Sequence, residues 1–230
     1  MIREDISKRE FRKMVKETHG GYTYVKDGKF YKLDKDHAYN MYAKKRITTS
    51  YDEIKVDQIE WLSSLRWKVK HSYLPEGILT FEHTPIGIIY PHYFDGYSEL
   101  LDCSSESTDV MLNNLRQAII NNLELTDNDI YNADFAGKNV LYKNSDVELI
   151  DLDGRHIKRS SYSNFTQVYS YFIPDLFRIF VDKLISQYGK EHTKELLTEL
   201  RSAFPNPKNG FERLDPLETI DRVEKMRILK

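Results

Sequence analysis

The chain has a single cysteine, Cys103, among 230 residues. One cysteine excludes an internal disulfide and any zinc site built on thiolates. The seven histidines show no His-x3-His spacing, which argues against a catalytic metal held by imidazoles. No apolar run approaches the roughly 20 residues that span a bilayer, so no membrane span is expected. An excess of basic charge is missing as well, with 34 Lys and Arg against 36 Asp and Glu. That balance speaks against a general nucleic-acid binder and equally against a polyacidic disordered chain. No repeat or low-complexity tract is visible. The N-terminus, MIREDISKREFRK, is too charged for a secretory signal. A cytoplasmic chain is the expectation, with leaderless secretion left open.

What is present is a composition able to build a core, 40% hydrophobic and 30% charged. The length suits one large domain or two small lobes. The charge is unevenly spread. Residues 95–153 carry 13 acidic and 3 basic side chains, whereas residues 1–35 carry 10 basic and 6 acidic ones. A solvated face explains such a block, and so do carboxylates that converge on a divalent cation. The second explanation requires particular spacings.

Residues 11–17 fit either a strand or a helix. After the break at His19-Gly20-Gly21, the aromatic and β-branched run Tyr22–Val25 predicts a strand. Asp27-Gly28 predicts a two-residue hairpin turn, and Phe30–Leu33 its returning strand. Ile54, Gln58, Trp61, Leu62 and Leu65 have helical spacing over 51–66. Pro75 and Gly77 are expected to end the following loop. Residues 78–81 and 86–90 then form a second hairpin around His83-Thr84-Pro85. The first 95 residues thus read as five short strands and one helix. Beyond them Met111, Leu112, Leu115, Ala118 and Ile119 line one face of a helix over 107–122, with Ser107 or Thr108 as its N-cap. Residues 164–187 read as helix, split at Pro174, and residues 190–203 as another. Asp215, Pro216 and Glu218 make a capping box for a last helix. The aromatic stripe at 165–180 reads as core.

The stretch 129–154 carries the chemistry. Val140–Tyr142 and Val147–Ile150 read as strands joined at residues 143–146. That hairpin sets Asn139, before its first strand, beside Asp151, after its second. Asp134 stands five residues ahead of Asn139. An Asn and an Asp at adjacent strand ends offer oxygen ligands to a hard cation such as Mg2+. A further carboxylate nearby can accept a proton from an attacking hydroxyl.

Asp134-x4-Asn139, followed by Ile150-Asp151-Leu152-Asp153-Gly154, resembles the catalytic and metal-binding loops of the protein-kinase-like superfamily. The resemblance implies an α+β bilobal fold, with a β-rich N-lobe over 1–94 and a mainly helical C-lobe over 95–230. It implies ATP and Mg2+ as cofactors, with the nucleotide in the cleft. Asp134 then matches the catalytic Asp, and Asn139 and Asp151 match the metal ligands. Leu152 takes the Phe position of Asp-Phe-Gly. Asp153 replaces its Gly and is a further metal ligand.

In that family a Gly-rich turn covers the phosphates and a third-strand Lys contacts them. Gly20 and Gly21 stand at the turn without the full glycine pattern, and Lys32 stands where the Lys belongs. The helix over 51–66 should supply a Glu to pair with it. Gln58 occupies that position, with Asp57 beside it. The segment 90–96 resembles the hinge, where adenine meets His92, Tyr93 and Phe94 between Val25, Ile88 and Leu141. Ala133 and Ala136 stand where protein kinases carry Arg and Lys. The function implied is transfer of the γ-phosphate to a hydroxyl, on protein Ser/Thr. A small-molecule kinase of the sugar or aminoglycoside type is the first alternative, and a non-catalytic pseudokinase module the second. The acceptor stays open, and neither a nucleic-acid partner nor a membrane span is expected.

Overall fold

The computed structural model describes residues 1–17, 23–33, 56–92, 94–153, 157–160, 172–204 and 216–229. It is a mixed α+β structure whose contacts divide it into two units. The first is Met1–Asp95 with Asp151–Ile157, and the second is Gly96–Ile150 with Lys158–Lys230.

The first unit is built on five strands: β1 (Ile2–Asp5), β2 (Thr23–Lys26), β3 (Lys29–Leu33), β4 (Gly77–Phe81) and β5 (Thr84–Tyr90). They lie in the order β1-β4-β5-β3-β2, with β1 parallel to β4 and the other pairs antiparallel. Asp27 and Gly28 both take positive φ, 51° and 77°, which forms the turn type that matches strand twist. The β4–β5 turn sits earlier than the sequence suggests. Phe81 pairs with Thr84, and Glu82 and His83 are the residues at positive φ.

Two expectations are corrected. Of the two readings open for residues 11–17 the helix holds, as α1 (Lys8–Glu17), so it is the expected set of five strands and one helix that changes: the fifth strand is Ile2–Asp5. The cause is a capping box: Glu10 N–H donates to Ser7 Oγ at 3.3 Å and Ser7 N–H to Glu10 Oε2 at 3.1 Å, satisfying N–H groups the helix leaves open. Gly77 opens β4 rather than ending a loop. A Cβ there would collide with the Ile2 carbonyl, so the parallel approach of β1 needs glycine.

Paired residues share a face and alternate residues change face. The register therefore puts Tyr24, Tyr31, Leu33, Leu79 and Ile89 on one side. There they form a core with Phe11 and Met14 of α1, and Phe11 stacks on Phe81 with ring centroids 4.3 Å apart. Burying each such side chain contributes about 1.5–3 kcal/mol. The opposite face carries Val25, Phe30, Lys32, Ile88 and Tyr90. Helix α2 (Val56–Leu65) packs against β4.

The second unit centres on helix α3 (Thr108–Asp127), capped by Ser107 Oγ, which accepts from Val110 N–H. Met111, Leu112, Leu115, Ala118 and Ile119 are all buried. Around α3 lie β6 (Ser98–Glu99), β7 (Ile130–Asn132), β8 (Val140–Lys143) and β9 (Asp146–Leu149), with β10 (Ile157–Arg159) paired to β7. Helix α4 (Ile173–Ser202) has Pro174 in its first turn and breaks at Gly189, whose φ is 76°. Helix α5 (Pro216–Lys225) follows. Among the described residues no helix is long and apolar enough to cross a membrane.

Candidate functional site

The first unit gathers its polar chemistry on the sheet face opposite α1. The Asp27-Gly28 turn fixes the register, so that Lys32 stands directly across from Ile88. Gly87, next to Ile88, is required here. A Cβ at that position would come within 2.8 Å of the Lys32 carbonyl oxygen.

The Lys32 ammonium donates to Asp151 Oδ1 and to Asp153 Oδ2. The segment that presents these carboxylates is anchored by Leu152, 1% exposed. Asp151 takes φ 63°, a conformation Asp tolerates better than most residues. Burial works against the charge on Lys32, and the Asp153 and Asp151 carboxylates more than offset it. The lysine pKa is consequently raised. The sequence pointed to Gln58 or Asp57 as the partner of Lys32. Instead the Gln58 side-chain amide donates to the Ile157 carbonyl, which belongs to the returning segment, and Lys32 is held by Asp151 and Asp153.

Ile88 is buried and Val25 is half exposed, both on the face that carries Lys32. Tyr73 stacks on Tyr90 at 4.8 Å, and the His92 and Phe94 rings meet Tyr73 edge-on at 5.0 and 4.4 Å. His92 N–H donates to the Tyr73 hydroxyl at 3.2 Å. Burial, helped by the Arg66 charge, lowers the His92 pKa. The Tyr90 hydroxyl is buried and finds no hydrogen-bond partner among the described residues. Sequence reasoning missed it because a tyrosine ending an apolar strand reads as core. Gly20, Gly21 and Tyr93 lie outside the described residues, as do Gly154, Asp215 and the part of the aromatic stripe before Phe172.

The second unit holds Asp134, Asn139 and Leu141. The β8–β9 hairpin pairs Val140 with Leu149. Ile150 N–H donates to the Asn139 carbonyl at 2.9 Å, and Asp151 is the next residue in the chain. Asn139 Nδ2 donates to both the Asp134 carbonyl and its Oδ2, each at 2.9 Å. These bonds use the amide nitrogen. They leave Oδ1, the atom of this side chain able to ligate a hard cation.

Asp134 N–H donates to Asn132 Oδ1 at 3.1 Å, and Asn132 Nδ2 to Asn122 Oδ1 of α3 at 3.3 Å. The Asp175 carboxylate, in the first turn of α4, accepts from Gly137 N–H at 2.7 Å. Asp134 is thus positioned by a chain of buried amides. Leu141 is half-buried on β8.

The Lys32 arrangement also tests whether a metal suits this site. Two carboxylate oxygens already surround one cationic atom, and carboxylate oxygens are among the ligands a hard divalent cation takes, with water and phosphate oxygens to complete its shell. The residues fit. Comparison with known proteins finds no family model and no curated relative that matches the chain.

Proposed function

We propose that the chain is an ATP- and Mg2+-dependent phosphotransferase of the protein-kinase-like fold, which passes the γ-phosphoryl group to a hydroxyl on protein Ser or Thr. The observation that carries this reading is a lysine on the third strand, Lys32, held by both carboxylates of the Asp151-Leu152-Asp153 run. The five-stranded sheet, the helix between β3 and β4, and the hairpin between Asn139 and Asp151 support it.

In this reading Lys32 neutralises and orients phosphate oxygens. Val25 and Ile88, on the same sheet face, offer the apolar contact for a purine. Asp151 and Asp153 would hold Mg2+, which would neutralise charge on the phosphates, and the Asn139 Oδ1 is an oxygen of the kind such a cation takes. Asp134 accepts the proton of the attacking hydroxyl as the new O–P bond forms and the bond to the ADP oxygen breaks. Asn139 keeps the Asp134 carboxylate turned for that task. The small-molecule reading is favoured by Ala133 and Ala136, because a protein kinase would carry Arg and Lys at these positions.

The test is incubation with γ-labelled ATP and Mg2+, with protein and sugar acceptors. Asp134→Asn should bind Mg·ATP with near-native affinity and lose at least about a hundredfold in turnover. A wild-type protein that binds Mg·ATP and phosphorylates nothing would establish a binding module instead. Full activity in Asp134→Asn would remove Asp134 from the chemistry.

A further inference from the structure

The cationic atom between Asp151 and Asp153 is part of the chain itself. Both Asp151 Oδ1 and Asp153 Oδ2 are bonded to the single Nζ of Lys32. A divalent cation that binds these two oxygens therefore competes with that nitrogen for them. Asp153 is only 11% exposed, against 37% for Asp151, so Asp153 is the better shielded of the two carboxylates.

A second group points to the same place. The Tyr90 hydroxyl is buried without a hydrogen-bond partner among the described residues. It shares the sheet face of Lys32 and feels the charges of Asp153 and Asp151. Burial first, and those charges second, raise its pKa. A buried hydroxyl without a partner costs free energy. A hydrated cation brings water that can satisfy it.

We propose that the Lys32 ammonium is a built-in competitor for the divalent cation, so that the protein free of nucleotide excludes metal from Asp151 and Asp153. The competitor is tethered to β3, and tethering gives it an effective concentration that dissolved cations do not reach without cost. If it fills the site for about 90–99% of the time, the apparent metal affinity falls about 10–100-fold. Nucleotide phosphates offer Lys32 another anion, so metal and nucleotide enter together and metal alone enters poorly. The inference rests on the reading of Asp151 and Asp153 as cation ligands.

Mn2+ binding to the full chain separates the two ideas, followed without nucleotide by loss of the free-ion paramagnetic resonance signal and with ATP by the excess Mn2+ retained with the protein in equilibrium dialysis against the same Mn·ATP. Without nucleotide, Lys32→Met should bind Mn2+ at least about tenfold more tightly than wild type. Lys32→Arg, which keeps a cation, should stay weak, and Lys32→Met with Asp151→Asn should lose the gain. If wild type binds Mn2+ with ATP while Lys32→Met without ATP is no tighter than wild type, the cation-ligand reading stands and the competition is refuted. If neither condition binds Mn2+, the cation-ligand reading itself fails and takes the competition with it. A readout on the wild type keeps the idea falsifiable should Lys32→Met not fold. Bound Mn2+ should speed acylation of Lys32 relative to Lys29, read by mass spectrometry of the two peptides. Mn2+ bound at the site with Lys32 acylation unchanged would overturn the proposal.

Discussion

Replacing Asn139 by Asp changes one atom type and reverses the electrostatics of the second unit's site. Asn139 Nδ2 donates two bonds to Asp134, each 2.9 Å long, and Asn139 is nearly buried. Asn139→Asp keeps the shape and turns that donor into an acceptor. Two unit charges about 3 Å apart repel by about 6 kcal/mol at an effective dielectric constant near 20. The protein has a cheaper course, which is to keep one proton on the pair. Holding a carboxyl of ordinary pKa protonated at pH 7 costs about 4 kcal/mol. The smaller figure sets the ceiling, so Asn139→Asp should lose about 4 kcal/mol at pH 7.

The sign follows from the introduced carboxyl, whose pKa is raised on folding. Its protonated form can donate to Asp134, so stability is retained below the unfolded carboxyl pKa near 4. It is lost as pH rises from there toward the folded value. Urea melts followed by circular dichroism between pH 4 and 7 should show the deficit relative to wild type shrinking to about 1 kcal/mol at the acid end, one hydrogen bond's worth. Asn139→Ala, which introduces no titrating group, should show a deficit that changes much less with pH. A flat deficit for Asn139→Asp would refute the contact between Asn139 and Asp134.

The capping box of α1 gives a pH effect of the opposite sign. The Lys26 ammonium, then the Ser7 hydroxyl and N–H, hold the Glu10 carboxyl down at about 2. Its contribution is present above the ordinary carboxylate pKa near 4.5 and is lost as pH falls toward 2. Both Glu10 and Lys26 are about a third exposed or more, and solvent screening limits the contribution to about 1 kcal/mol. Glu10→Gln should cost that much at pH 7 and nothing near pH 2, measured by urea melts at the two pH values. Gly87→Ala should lower the urea midpoint by the equivalent of about 1–3 kcal/mol, because its Cβ would press on the Lys32 carbonyl and the backbone must move. An unchanged midpoint would mean that β3 and β5 are not held this close.

Local chemistry made much of this legible in advance. Asp27-Gly28 dictates its hairpin, and the apolar face of α3 reads directly from Met111 to Ile119. The Ser7–Glu10 capping box, which the sequence reading did not use, resolves the ambiguous pattern of residues 11–17 into α1. The partner of Lys32 was not legible. Asp151 and Asp153 are 119 and 121 positions away, and only the tertiary path brings them to β3. The resemblance to the kinase-like family pointed instead to the nearer helix, where Gln58 turns to the Ile157 carbonyl. The same holds for Asp175, 38 residues beyond the Gly137 N–H it accepts from. The buried Asn121 and Asn122 of α3 were hidden by the apolar residues around them, because hydrophobic spacing does not register amides that bond outward from a helix.

The first unit is not continuous in the chain: it takes in Asp151–Ile157 only after Gly96–Ile150 has intervened. During synthesis the sheet with Lys32 leaves the ribosome well before the two carboxylates that hold it. At about 5–20 residues per second the interval is about 3–11 s, far longer than a small sheet needs to collapse. Lys32 is therefore made seconds before either carboxylate, and the acidic segment is the last part of the first unit to arrive. The charge pairing of the site is a late event in the life of each molecule, and a chain that terminates before Asp151 carries the lysine without either counter-ion.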